Sequence, residues 1–304
     1  MLKIRTVLPL LVVTLLVARS SSADPGILLL AHGGSAEWNG RVMELAAKVN
    51  ATRPTEVAFG MATRANIQSA IDKLVARGVT EIVAVPLFVS SWSTVITSTE
   101  YLLGLRAEAP AALANYAKMN HPPAGTSGVA ARHEGHRVAT EGTTPVESSV
   151  PVRMTRALND HPIVADILAS RARAISRDPA KEALIIVAHG PNEEVDNRRW
   201  LEDMGSLAGR IKQTEPFASV EYLTLRDDAP KDVRDVATAQ LRGIVQRELT
   251  AGRRVLIVPL LISFGGIERR LRERLDGLLC TMAEAALMPD DRLATWVLTV
   301  AAAH

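Results

Sequence analysis

Two stretches of this chain repeat one another: Ile27-Leu28-Leu29-Leu30-Ala31-His32-Gly33 and Leu184-Ile185-Ile186-Val187-Ala188-His189-Gly190. A continuous aliphatic run closed by a turn residue is the pattern of a parallel strand buried on both faces. In open α/β sheets ligands bind beyond the carboxyl ends of the strands, so each histidine stands where such a sheet does its chemistry. A second pair of segments repeats in the same order, 78–90 around Val85-Pro86 and 252–263 around Val258-Pro259. His32 precedes Pro86 by 54 residues and His189 precedes Pro259 by 70, so the second copy holds about one more helix. Repetition in order over this length predicts two copies of one α/β unit.

Within the first copy, residues 35–49 carry apolar side chains at helical spacing (Val42, Leu45, Ala46, Val49), with Ser35 as the cap. A strand follows at 56–60, then a helix at 67–77 capped by Asn66 and stopped by Gly78, then a strand at 81–89. The second copy reads as a helix over 161–176, a strand from Ala183, an amphipathic helix over 199–212, a strand over 218–225, a helix over 233–249 and a strand over 255–262. Gly265-Gly266 then opens a final helix with Glu268 in its first turn, where the helix dipole favours a carboxylate facing the cleft. The order β-α-β-α-β predicts an α/β fold of two similar doubly wound parallel-sheet lobes with a cleft between them.

Domain limits follow. Lys3 and Arg5, the apolar stretch 7–17 and the small residues Ser20-Ser21-Ser22-Ala23 read as a secretory signal over 1–23. The apolar stretch is too short to span the roughly 30 Å hydrocarbon layer, so the expectation is an exported chain, periplasmic in a Gram-negative cell, with no stable membrane span after processing. Residues 24–119 form the first lobe and 152–304 the second. The Gly-, Pro- and Ser-rich stretch 120–151 reads as a linker or a mobile lid. A net charge of +2 with interspersed signs offers no footprint for nucleic acid. Cys280 is the sole cysteine, which excludes an intramolecular disulfide and any thiolate cluster; its apolar, helical context reads as a packed thiol.

At the two strand-His-Gly motifs, the Val-Pro strands and Glu56-Val57-Ala58-Phe59 with its following helix, the chain resembles the class II tetrapyrrole chelatases, the CbiX and SirB sirohydrochlorin chelatases, with CbiK and ferrochelatase as more distant kin. The resemblance implies insertion of a divalent metal, cobalt or iron, into a tetrapyrrole such as sirohydrochlorin held between the lobes. The metal is then a substrate, and no organic cofactor is needed. Two-lobed relatives such as ferrochelatase pair the second-lobe histidine with a glutamate nine residues after the corresponding proline, which makes His189 and Glu268 the catalytic candidates here. His32, His189 and Glu268 become the metal candidates, and Ser90, Trp92, Ser263 and Gly265 the tetrapyrrole-binding ones.

The short family members carry a second histidine eight residues after the proline, where this chain has Thr94 and Ile267. That departure argues against a two-histidine site and marks the first copy as the more degenerate. An exported carrier for haem, another tetrapyrrole or a metal is the alternative reading; a two-lobed solute receptor leaves the paired Ala-His-Gly motifs unexplained. His133 and His136 beside Glu134 lack zincin spacing and read as solvated loop residues, and His121 and His161 precede prolines as boundary residues. The particular tetrapyrrole, the metal and the oligomeric state stay open at this level.

Overall fold

The computed structural model describes residues 25–118 and 142–303. The expected signal segment and His121, His133 and His136 lie outside the described residues.

Two four-stranded sheets form the frame. In the first, β1 (Gly26–Ala31), β2 (Thr55–Phe59), β3 (Ile82–Pro86) and β4 (Val152–Met154) lie in the order β2-β1-β3-β4, all parallel. In the second, β5 (Glu182–Ala188), β6 (Ser219–Thr224), β7 (Arg254–Leu260) and β8 (Thr281–Met282) repeat that order as β6-β5-β7-β8. The register repeats too: Leu30 pairs with Pro86 and Val187 with Pro259, while Ala31 pairs with Phe59 and Ala188 with Thr224. Every residue of β1 and β5 is buried, as their aliphatic runs require. Strands β1 and β5 each lie between the strand that precedes and the strand that follows the crossover, so His32 and His189 emerge at the switch point of each sheet.

Helix α1 (Ala36–Asn50) starts at Ser35, whose hydroxyl accepts from the Trp38 amide at 3.2 Å, and buries Trp38, Val42, Leu45, Ala46 and Val49. Helix α2 (Arg64–Ala76) starts before the expected cap. Asn66 lies inside its first turn, and its side-chain amide donates to the Phe59 carbonyl at 2.6 Å, tying the helix to the end of β2. Helices α3 (Thr94–Leu102) and α4 (Leu113–Ala117) complete the N-terminal copy, and α5 (Pro162–Ile175), α6 (Glu194–Thr214), α7 (Lys231–Thr250), α8 (Ile267–Arg274) and α9 (Arg292–Ala302) follow.

The two copies exchange helices. After β4 the chain enters α5, which packs on α6 and β7 of the second sheet; after β8 it enters α9, which packs on α1 and β3 of the first. One core cluster consequently runs through both copies, joining Leu29, Val42 and Val85 to Ile186, Leu207, Val258 and Trp296. The other face of each sheet has its own cluster, around Ile71 and Leu74 in the first and around Leu241 and Val245 in the second. Burial of side chains of this size is worth about 1.5–3 kcal/mol each, so a cluster built from both sheets ties the two lobes together.

Three expectations change. The boundary at residue 152 falls one strand early, because β4 belongs to the first sheet, and α9 serves the first lobe although it ends the chain. Residues 142–151 are no loose lid: the Val146 amide donates to the Leu102 carbonyl at 2.8 Å, Gln68 holds the backbone of Glu147, and Val146 and Val150 pack on the first lobe's private cluster. Cys280 stands in the link ahead of β8 rather than in a helix, half-buried against the second private cluster.

Candidate functional site

Each strand-end histidine is turned by the glycine that follows it. Gly33 and Gly190 adopt left-handed φ values of 81° and 77°, and a Cβ on Gly190 would stand 2.5 Å from Thr224 Cβ. Only glycine meets both demands there. The turn brings the Gly33 carbonyl to 2.7 Å from His32 Nδ1 and the Gly190 carbonyl to 2.7 Å from His189 Nδ1. A carbonyl only accepts, so Nδ1 is the protonated nitrogen of both rings and Nε2 is left for chemistry.

At Nε2 the copies diverge. His189 Nε2 meets Asp228 Oδ2 at 3.2 Å. With acceptors at both nitrogens, this geometry suits the imidazolium. Burial works against its charge, but the Asp228 hydrogen bond and charge, the Gly190 carbonyl and the nearby Asp227 outweigh it and raise the His189 pKa. The bond from His189 in turn holds Asp228 below the usual carboxylate range against the opposing effect of burial, helped by the charges of His189, Arg270 and His32. His32 is exposed, and among the described residues its Nε2 has no hydrogen-bond partner.

Asp228 belongs to the loop between β6 and α7. Its neighbour Arg226 takes a left-handed φ of 55°, rare for a side chain of this size, and is 6% exposed. The Arg226 guanidinium donates to the carbonyls of Pro191 and Asn192 and pairs with Glu194 at 2.8 Å, locking this loop to the one that carries His189. The sequence reading does not single out Asp228. The signal available was the acidic pair Asp227-Asp228 at the carboxyl end of the strand beside β5.

The other candidates are placed differently from expectation. Glu268 does occupy the first turn of α8, but its Oε2 accepts from the amides of Gly265 and Gly266 at 3.0 and 2.9 Å. It caps its own helix. Burial raises its pKa and the amides of Gly266, Glu268 and Gly265 more than offset this, leaving a weakly basic carboxylate. Among the described residues no three of His, Cys, Asp and Glu gather as a group that could hold a metal.

The four tetrapyrrole candidates lie in loops at the lobe junction. Ser90 is buried and accepts from the Trp92 amide at 3.1 Å. The Trp92 carbonyl accepts from Trp200 Nε1 of the other lobe at 2.8 Å, and the Arg199 guanidinium lies 4.3 Å from the ring centroid. Ser263 accepts from Arg41 of α1 at 3.3 Å, and Gly265 sits against Trp38. Thr94, the residue in place of the second family histidine, bonds the Tyr116 hydroxyl at 2.6 Å. A groove of about 720 Å³ runs along β6 between α6 and α7, lined by residues such as Asn197, Tyr222, Val236 and Arg247; neither His189 nor Asp228 lines it.

Two parallel-sheet lobes with an imidazole at the switch point of each define a chelatase-like α/β protein. Residues 26–175, just under half of the chain, match the model of the CbiX family, so over this stretch the chain is similar to CbiX. No curated protein matches the sequence. Among solved structures, SirB from Bacillus subtilis with Fe3+ is similar at 14% identity and TM-score 0.59, with 91% of this chain and 94% of that one covered. CbiX, described as the terminal enzyme for biosynthesis of siroheme in denitrifying bacteria, is similar at 15% identity and TM-score 0.51, with 91% and 98% covered. DR2241 from Deinococcus radiodurans, a multi-domain protein with structural similarity to chelatases, has 20% identity and TM-score 0.53; the match covers 92% of this chain and 55% of that one. At these identities the likeness is one of fold.

Proposed function

We propose that the chain inserts a divalent metal ion, cobalt or iron, into a tetrapyrrole such as sirohydrochlorin held between the lobes. The observation that carries this reading is the division of labour between the two strand-end histidines. Among the described residues His32 Nε2 has no partner while Gly33 fixes its tautomer, the arrangement of an imidazole ready to receive a metal. His189 faces a carboxylate instead, which suits proton transfer. Metal insertion requires two pyrrole N–H protons to leave as the ion arrives. Neutral His189 accepts a proton at Nε2, and Asp228 at 3.2 Å stabilises the resulting imidazolium and passes protons toward solvent.

Glu268, bound to its own backbone amides, is left out of this chemistry. The reading also places the protein outside the cytoplasm, on the strength of the charged, apolar and small-residue succession over 1–23. No helix among the described residues is long and apolar enough to cross a membrane.

The test is the visible spectrum of metal-free sirohydrochlorin mixed with the protein and Co2+, followed over time against the ion alone. Faster conversion to the metallated spectrum supports insertion. A spectrum that shifts on mixing and then stays fixed makes the protein a tetrapyrrole carrier.

A further inference from the structure

The loop that supplies Asp228 is fixed at more points than a connection between a strand and a helix needs. Arg226 is bound to the His189 loop, and the Arg226 amide donates to the His189 carbonyl at 2.8 Å. The Ala229 amide donates back to the Arg226 carbonyl at 3.0 Å, closing a tight turn around the two acids. Asp227 and Asp228 are adjacent yet point to opposite environments: the Asp227 side chain is 1% exposed and that of Asp228 is 63% exposed.

Asp227 Oδ1 is held by Arg274, the last residue of α8, which also donates to the Leu225 carbonyl at 3.0 Å. Asp227 Oδ2 is buried and has no hydrogen-bond partner. Leaving a buried carboxylate oxygen unpaired is unfavourable, so a fold needing only a link from this loop to α8 is better served by asparagine or serine. In the matching loop of the first copy the chain reads Gly60-Met61-Ala62-Thr63, without an acid, and His32 there has no carboxylate of its own.

We infer that Asp227, anchored by Arg274, is the positioning residue that turns Asp228 outward onto His189 Nε2. The inference rests on the proposed role of His189, and it adds a physical link from helix α8 to the proton-accepting group. Asp227 touches neither metal nor tetrapyrrole in this scheme; it acts through Asp228 and His189.

The experiment uses the full chain with 15N-labelled histidine. In wild type the His189 Nε2 proton gives a downfield, slowly exchanging resonance, assigned by its loss in H189A. D227N keeps the side-chain shape and an acceptor for Arg274; in this variant the resonance should broaden or vanish while the fold persists, and R274Q should do the same because the pair acts as one unit. With Co2+ and sirohydrochlorin, kcat should fall about tenfold in both variants while KM stays put. D227E, which retains the charge, should recover part of both signals. An unchanged resonance in D227N and R274Q, whatever their melting temperatures, overturns the inference. If wild type shows no metal insertion, the proposed function fails, while the resonance still decides the positioning role.

Discussion

His189 Nε2 and Asp228 Oδ2 stand 3.2 Å apart, and the opposite ring nitrogen of His189 is occupied by the Gly190 carbonyl. That double contact sets the pH behaviour of the site. The His189 pKa is raised from 6.5, so its contribution to stability is complete below 6.5 and fades as pH climbs through the folded value. The Asp228 pKa is lowered from 3.8, so its contribution is present above 3.8 and fades as pH falls through the folded value. Proton acceptance needs the neutral imidazole. Insertion should accordingly rise with pH along a limb centred above 6.5, and in D228N that limb should move toward acid. A pH profile of kcat/KM that is identical in the two proteins contradicts the pairing.

Glu268 is an internal cap in this fold. E268Q retains an acceptor for the Gly265 and Gly266 amides but loses the charge favoured at the start of α8. The expected cost is about 1 kcal/mol of stability, read by urea unfolding, with turnover within about twofold of wild type. A loss of a hundredfold or more in turnover, roughly what a missing general base costs, returns Glu268 to the site.

Gly190 is a position where both space and backbone exclude a side chain. G190A drives a Cβ to within 2.5 Å of Thr224 and strains a φ of 77°. Destabilisation of about 3 kcal/mol is expected in denaturant unfolding. G33A meets only ordinary contacts, the nearest at 3.5 Å, so its cost should be smaller and come from backbone strain alone.

Nε2 of His32 has no partner among the described residues, and H32A should weaken capture of Co2+ by the protein without tetrapyrrole. Equilibrium dialysis or calorimetry reads this directly. H189A should leave that affinity within a few-fold of wild type.

Much of the fold was legible because its signals are local. The runs 27–31 and 184–188 can only be interior parallel strands, and Ser35 caps α1 as its spacing from the apolar stripe demands. The exchange of α5 and α9 was not legible: β4 and β8 are three and two residues long, too short for a periodic signal, and a helix that buries one face does not announce which sheet will cover it. The site was half legible. The histidines stood out through the repeat, whereas Glu268 was chosen by its offset from Pro259, and an offset does not say which way a side chain turns. Two glycine amides within 3.0 Å decided that it turns back. Trp92 likewise had the character of a stacking residue and is bonded through its carbonyl to Trp200 across the junction.

The most direct measurement is the initial rate of cobalt insertion into sirohydrochlorin, compared for wild type, H189A and the ion without protein. Wild type should exceed the protein-free rate, and H189A should fall by about a hundredfold, toward that background, while still binding the tetrapyrrole. A wild-type rate no greater than that of the ion alone, or an H189A rate equal to wild type, contradicts the assignment of His189 and Asp228 as the proton-accepting pair.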